Sequence, residues 1–355
     1  MSTQAKSEAA RDKSFAQRAL IASLIFVGVL AAAGLIWLTA YYMLIFFAGI
    51  LLAILLDAIS TGIGMLVPLP RTARVMIAAL IVASAFAAIG FVIPGIIEQA
   101  PQFAKFIEQW VEWIRSSVAD WEPVQETLEN GEPGRLMQFL PDPAGLLGGA
   151  AQIVGSALGL VTGAVLIVVF GLYLAIQPER YYQGVLSAVS PDMRRKLKDT
   201  SEDANIVLRR WLVGQIAMML FIGVSSYIVL TLIGVPLALM LSFIAGLTAF
   251  IPYIGPLIGG GAMILVATTQ DVRLGLIVIV FYLVLQTVES YLLTPMIQSR
   301  AIFIPPALVI LAQVVFGVLF GVLGIALATP LAAVIAVIVS RFYFHVPLED
   351  RQGEA

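Results

Sequence analysis

The sequence contains no cysteine and a single histidine, His345. The absence of cysteine excludes disulfides, iron–sulfur clusters and thiolate metal sites. One histidine cannot form an HExxH zinc site, and the sequence has neither a GxSxG nucleophile motif nor a GxxxxGK(S/T) phosphate-binding loop. We therefore expect a protein that is not an enzyme, holds no cofactor or metal, and does not itself hydrolyse ATP.

Charged residues are also scarce, at 12% of the 355 residues, while 60% are hydrophobic and the mean hydropathy is +0.99. Soluble proteins carry roughly 25% charged residues, so these charges are too few to cover a water-soluble surface. The net charge of −2 and the lack of a basic block give no indication of nucleic-acid binding. The composition predicts an all-α integral membrane protein, a polytopic helical bundle in a lipid bilayer.

Apolar runs give the expected number of membrane segments, since a spanning helix needs about 20 apolar residues. Six runs qualify as single spans: 19–38, 41–59, 74–97, 150–176, 211–233 and 273–294. Two longer stretches, 236–269 and 303–340, are interrupted by proline and glycine, so we expect broken or re-entrant hairpins there. About eight segments result. The run 19–38 exceeds the roughly 7–15 apolar residues of a cleavable signal, so we expect it to be retained as the first span.

The distribution of charge predicts the orientation. Basic residues dominate the tail 1–18 and the loops 60–73 and 177–210, whereas 98–147 carries nine acids against three basic residues. Positive charge favours the cytoplasmic side. The predicted order is a cytoplasmic tail (1–18), three spans (19–97), an extracytoplasmic segment (98–147), a membrane core (148–345) and a cytoplasmic tail (346–355). This order fits a bacterial inner membrane protein with both termini in the cytoplasm.

Two segments are amphipathic. Apolar residues recur at spacings of three and four along 99–122, which is typical of one helix face; they are Phe103, Ile107, Trp110, Ile114, Val118 and Trp121. This helix is too acidic to span, so it should lie on the outer surface or pack on the bundle. We expect the other segment, 178–210, to form a helix at the cytoplasmic interface.

Few polar side chains lie within the apolar runs. A charge at the bilayer centre costs about 2.5–3.5 kcal/mol on insertion scales, so such residues are functional candidates. Glu289 and Gln286 are three residues apart and share a helix face. Together with Asp57, Gln215 and Gln313 they are our candidates for a solute or ion pathway. The alternative is that they hold the bundle together, with Asp57 capping a helix end.

The string FIPYIGPLIGGG at 250–261 should break a helix, because proline removes a backbone donor and glycine permits unusual geometry. Broken helices in transporters often bind substrate and ions, although a surface loop would have the same composition. The candidate hinge residues are Pro252, Tyr253, Gly255, Pro256, Gly259, Pro295, Gly321, Gly324 and Pro330.

These motifs resemble the autoinducer-2 exporter family of bacterial membrane proteins. The carrying strings are RRWLVGQ (209–215), FIPYIGP (250–256), the Q-x-x-E of 286–289 and the G-x-x-G-x-x-x-A-x-P that ends at Pro330. The resemblance covers about 15–345. Ser290, Ser299 and Ile304 depart from the Asn, Gly and His that are common in the family. The resemblance implies about eight membrane segments, a homo-oligomer and an export role, with some members linked to autoinducer-2 and others to sodium–proton antiport.

The sequence thus predicts a secondary transporter that exports a small polar solute, with autoinducer-2 as a candidate. A Na⁺/H⁺ antiporter, in which Glu289 and Asp57 carry the ions, is the first alternative. A non-transporting membrane scaffold, whose outer segment binds a partner, is the second.

Overall fold

The computed structural model describes residues 3–119, 157–293 and 305–344, and every regular element in these ranges is a helix. The chain divides into two compact units, Met1–Phe47 and Ala48–Ala355. In the first unit, apolar side chains such as Ile25, Phe26 and Val29 are exposed, as suits residues that face lipid. The expected all-helical membrane fold is confirmed.

Helix α1 runs from Thr3 to Leu66 without interruption. The sequence predicted two separate spans, 19–38 and 41–59, and this division is wrong because the helix does not end between them. The residues between them, Thr39 and Ala40, include neither proline nor glycine, and the Thr39 hydroxyl donates to the Leu35 carbonyl at 2.9 Å. Nothing local therefore ends the helix.

The expected number of about eight segments is not confirmed. In the described ranges, five helices are long and apolar enough to cross a membrane, or six if one bent pair counts as a single span. The expected span 74–97 lies within α2, Arg71–Ala119, which continues into the acidic segment. Phe103 of the predicted face and its neighbour Phe106 pack against the core of the second unit, so this part of the amphipathic helix packs on the bundle. Residues 120–156, including Trp121, lie outside the described ranges.

Helix α3, Ala157–Ile176, bends by 88° into the short helix α4, Pro178–Ser187. Helix α5 then runs from Pro191 to Leu232. The sequence predicted one interfacial helix over 178–210 and a separate span after it. The structure instead divides that segment at 188–190 and joins its second part to the span, because no glycine or proline interrupts 192–213.

Helices α6, Ala238–Thr248, and α7, Ile254–Gln270, form the first broken hairpin, as expected for 236–269. With 11 residues, α6 is about 16 Å long, roughly half the thickness of the bilayer core. Helix α8, Val272–Val288, follows and continues as a π-helical turn, Glu289–Leu293. Helices α5, α6, α7 and α8 share one hydrophobic core. Each contributes a fully buried side chain to it: Leu230, Leu241, Met263 and Val278.

Helix α9, Pro306–Val339, breaks at Gly321 (φ 64°, ψ −145°) and is followed by a π-helical turn, Ser340–Phe344. The amide nitrogen of Gln313 lies 3.5 Å from the Thr329 hydroxyl, whereas a straight helix would separate these residues by about 24 Å. The two arms therefore fold back on each other, and the second hairpin expected over 303–340 is present.

The two hairpins point in opposite directions along α5. The turn of the first lies near the start of the α5 span, where Phe250 contacts Trp211 edge to face with ring centroids 5.5 Å apart. The end of the second lies near the same part of α5, since Val337 packs on Val207. The turn of the second hairpin, at Gly321, therefore lies towards the other end of α5.

Candidate functional site

The turn between α6 and α7 is a strained γ-turn centred on Tyr253. The Ile254 amide donates to the Pro252 carbonyl at 2.8 Å, and Tyr253 has φ 67° and ψ −48°. This geometry is rare for a residue other than glycine. Pro252 and Pro256 cannot donate backbone hydrogen bonds. The turn therefore leaves carbonyl groups that need partners from elsewhere.

Three side chains from three helices supply those partners. Gln215 of α5 donates its amide to the Ala249 carbonyl at 2.5 Å. Gln313 of α9 donates to the Pro252 carbonyl at 2.9 Å. Tyr282 of α8 donates its hydroxyl to the Pro256 carbonyl at 2.6 Å. The break is thus held by α5, α8 and α9 together, and we call Gln215, Gln313 and Tyr282 the carbonyl clamp.

A chain of side chains joins the clamp to Glu289. The Gln286 amide nitrogen donates to a Glu289 carboxylate oxygen at 3.1 Å. The oxygen of the same amide lies 3.2 Å from the Tyr282 hydroxyl, whose single proton is directed to the closer Pro256 carbonyl. As the sequence spacing predicted, Gln286 and Glu289 share one helix face. Glu289 is half-buried and lies two residues before the end of the candidate span Val272–Tyr291.

A small cavity lies between Glu289 and the break, with Gly255, Pro256, Gly259 and Tyr282 in its wall. Its water-accessible space is about 10 Å³, close to the minimum for one water molecule. In this conformation the cavity has room for a proton carrier or one small ion, but not for an organic solute.

Two glycines permit the close packing around this cavity. A Cβ atom on Gly255 would lie 1.9 Å from the Thr248 carbonyl oxygen, and one on Gly260 would lie 2.4 Å from the Tyr282 ring. The first contact involves backbone on both sides and has no simple relief. Glycine at 255 is therefore required for α7 to begin this close to the end of α6.

The candidate residues of the second hairpin have distinct positions. Gly321 forms the turn with a positive φ, and a Cβ atom on Gly324 would lie 2.0 Å from the Phe316 carbonyl oxygen, where the arms meet. Pro330 is buried within the second arm. Gln313 is 1% exposed and contacts both the first hairpin and Thr329. Pro295 lies outside the described residues.

Asp57 lies in a different environment from Glu289. Its carboxylate pairs with Arg71 at 3.2 Å and with Arg209 at 3.5 Å. A second ion pair, Asp203–Arg341, lies about 9 Å further along α5. Ion pairs thus join α1 to α2 and α5, and α5 to the π-helical turn after α9, at one basic end of the molecule. The sequence placed the loops of this end in the cytoplasm. Asp57 thus joins α1 to α2 and α5 through ion pairs, and its role as a helix cap or as an ion carrier stays a prediction.

Sequence reasoning missed Tyr282 and Thr329. Tyr282 is four residues before Gln286, so a search of the Glu289 helix face at spacings of three and four would have included it. Thr329 is 16 residues from Gln313, and the separation becomes short only because α9 folds back.

The fold and the site together define a polytopic helical membrane protein built on two opposed broken hairpins. The chain matches the AI-2E family transporter family over residues 24–344 and belongs to it. Three similar proteins are YrrI of Bacillus subtilis (27% identity), MT0215 of Mycobacterium tuberculosis (27%) and a protein of Thermotoga maritima (26%). Each is named "Putative transport protein". The matches cover 62%, 67% and 76% of this chain and 62%, 67% and 81% of the respective relatives. The chain therefore spans about three fifths of the length of YrrI.

Proposed function

We propose that this protein is a secondary transporter that exports a small polar solute, and that Glu289 is the carboxylate that couples transport to proton movement. The family name makes autoinducer-2 the first candidate solute. The observation that carries the proposal is the continuous contact from Glu289 through Gln286 and Tyr282 to the Pro256 carbonyl. A change of charge at Glu289 is thereby linked to the backbone at the helix break.

The proton positions give this link a mechanism. When Glu289 is ionised, it accepts from the Gln286 amide nitrogen, as in the structure. A protonated carboxyl group is instead a donor, and it is satisfied best if the Gln286 amide turns its oxygen towards Glu289. The amide nitrogen then faces the Tyr282 hydroxyl. Protonation of Glu289 therefore changes the environment of the Tyr282 hydroxyl, which donates the hydrogen bond to the Pro256 carbonyl.

The opposed hairpins support a transport role. Irregular backbone at membrane depth is tolerated only where protein or water satisfies it, and broken helices are the sites where many secondary transporters bind substrates and coupling ions. Here the carbonyls of Ala249, Pro252 and Pro256 accept hydrogen bonds from side chains of separate helices. These bonds can break and re-form without unfolding any helix.

The second candidate is Na⁺/H⁺ antiport, and the size of the cavity beside Glu289 favours it. A space near the minimum for one water admits a small ion next to a carboxylate. In this reading the exported species is Na⁺ itself, and Glu289 exchanges it for a proton.

The positions of the arginines support a cytoplasmic-membrane location with the basic end inside. Arg71, Arg209 and Arg341 come from three helices and gather at this end. The positive-inside rule favours the cytoplasm for such an end, and we extend this location to the end of the last helix, which carries Arg341.

Purified protein in liposomes tests the proposal. An imposed pH gradient should drive autoinducer-2 accumulation if the first candidate is right, and ²²Na⁺ movement without autoinducer-2 if antiport is right. Internal pH, followed with a trapped dye, should change with the transported species. If neither autoinducer-2 nor ²²Na⁺ moves under any gradient, both proposed transport functions are contradicted and the non-transporting membrane scaffold is favoured.

A further inference from the structure

The amide nitrogen of Gln313 has hydrogen-bond partners, but its amide oxygen has none among the described residues. Its nitrogen donates to the Pro252 carbonyl at 2.9 Å and faces the Thr329 hydroxyl at 3.5 Å. Its oxygen is buried and has no hydrogen-bond partner among the described residues. The side chain as a whole is 1% exposed. Buried acceptors in proteins are normally paired, so this oxygen points to a ligand.

The amide cannot be turned around to remove the mismatch. Exchanging its oxygen and nitrogen would place two carbonyl oxygens 2.9 Å apart, at Gln313 and Pro252, and would leave two donors unpaired instead. The oxygen must therefore face the protein interior, close to where the two hairpins meet.

The two oxygen atoms that the structure places against the Gln313 amide are neutral. They are the hydroxyl of Thr329, a residue that is 8% exposed, and the backbone carbonyl of Pro252. The described residues contain no cluster of three or more His, Asp or Glu side chains. Divalent cations are usually bound with carboxylates, whereas unwound helices in transporters coordinate Na⁺ with carbonyl oxygens. The chemistry therefore fits a monovalent alkali cation.

We propose that the Gln313 amide oxygen and the Thr329 hydroxyl are ligands of a bound Na⁺ ion at the junction of the two hairpins. The ion lies between the first hairpin, through the Gln313–Pro252 hydrogen bond, and the second, through Thr329. Its binding strengthens their contact. The role of this ion in transport rests on the proposed function, but its binding does not.

Na⁺ binding to the purified protein tests the site directly. The unfolding temperature in detergent is measured in NaCl, LiCl, KCl and choline chloride at equal ionic strength, and ²²Na⁺ binding is measured at equilibrium. Because a ligand that binds only the folded state stabilises it, wild type should unfold several degrees higher in NaCl than in choline chloride.

Thr329→Val removes the hydroxyl but keeps the shape and the Gln313–Pro252 bond. It should unfold like wild type in choline chloride and bind ²²Na⁺ at least about tenfold more weakly.

Two further variants separate this site from its neighbours. Gln313→Leu should lose the Na⁺ effect, whereas Gln215→Leu, which also loses a clamp bond to the break, should keep it. Glu289→Gln should keep it as well, even if transport is abolished, so that failure of the proposed function and failure of this site are distinguishable. The inference is overturned if Na⁺ gives no stabilisation over choline, or if Glu289→Gln loses the effect while Gln313→Leu keeps it.

Discussion

The Tyr282 hydroxyl donates a 2.6 Å hydrogen bond to the Pro256 carbonyl, 26 residues away in the chain. This bond connects α8, which continues into the turn that carries Glu289, to Pro256 in the first turn of α7. It makes Tyr282 the one side chain of the carbonyl clamp that also contacts the Glu289 chain.

Replacing Tyr282 with phenylalanine should uncouple the break from Glu289. The ring still packs on Gly260, but the Pro256 carbonyl loses the hydrogen bond from the Tyr282 hydroxyl, and such a bond contributes about 0.5–1.5 kcal/mol. We expect an expressed, monodisperse protein whose liposome transport is reduced several-fold and depends less on pH. Tyr227→Phe is the matched control, since Tyr227 is 45% exposed on α5. Equal pH profiles for Tyr282→Phe and wild type would remove Tyr282 from the coupling chain.

Gly255 should tolerate no side chain, although it lies in a helix. A Cβ atom there would lie 1.9 Å from the Thr248 carbonyl oxygen, so Gly255→Ala should destabilise the protein by about 3 kcal/mol. The control is Gly261→Ala on the same helix, where a Cβ atom meets nothing within 4 Å and stability should stay within about 1 kcal/mol of wild type. Thermal unfolding in detergent compares them, and similar unfolding temperatures would contradict the packing of the hairpin.

Asp57→Asn should affect the stability of the protein but not the pH dependence of its transport. The Asp57 carboxylate is 36% exposed and pairs with Arg71 and Arg209, and exposed ion pairs contribute about 0–1 kcal/mol. We expect a small loss of stability and an unchanged pH dependence of transport in liposomes. A lost or shifted pH dependence would restore Asp57 as an ion carrier.

The orientation can be tested with single cysteines, because the natural chain has none. Met193 at the start of α5 and Gln109 on the extension of α2 are exposed. An impermeant thiol reagent added to intact cells should label Gln109→Cys but not Met193→Cys, and disruption of the cells should expose both. The reverse pattern in intact cells would overturn the assignment of the basic end to the cytoplasm.

The helical class and the two breaks could be predicted because both depend on local chemistry. Apolar runs favour membrane helices, and the glycines and prolines at 252–261 and 321–330 interrupt them. The shared face of Gln286 and Glu289 likewise follows from helix geometry.

What could not be predicted depends on contacts between distant parts of the chain. The bonds from Gln215, Gln313 and Tyr282 to the break join residues 34, 61 and 26 positions apart, and no local pattern selects those pairs. The opposite directions of the hairpins arise from packing along α5. The continuity of α1 through Thr39 was missed because length, not a helix-breaking residue, suggested a boundary there.

The central claim is that titration of Glu289 couples proton movement to transport, and Glu289→Gln tests it most directly. The substitution keeps the size and the hydrogen bond to Gln286 but removes the exchangeable proton. Wild type and variant are reconstituted at equal density, and solute flux and internal pH are followed across imposed gradients from acid to alkaline pH. We predict a folded variant of normal oligomer size whose transport is lost or no longer depends on pH. Full, pH-sensitive transport by Glu289→Gln would contradict the account.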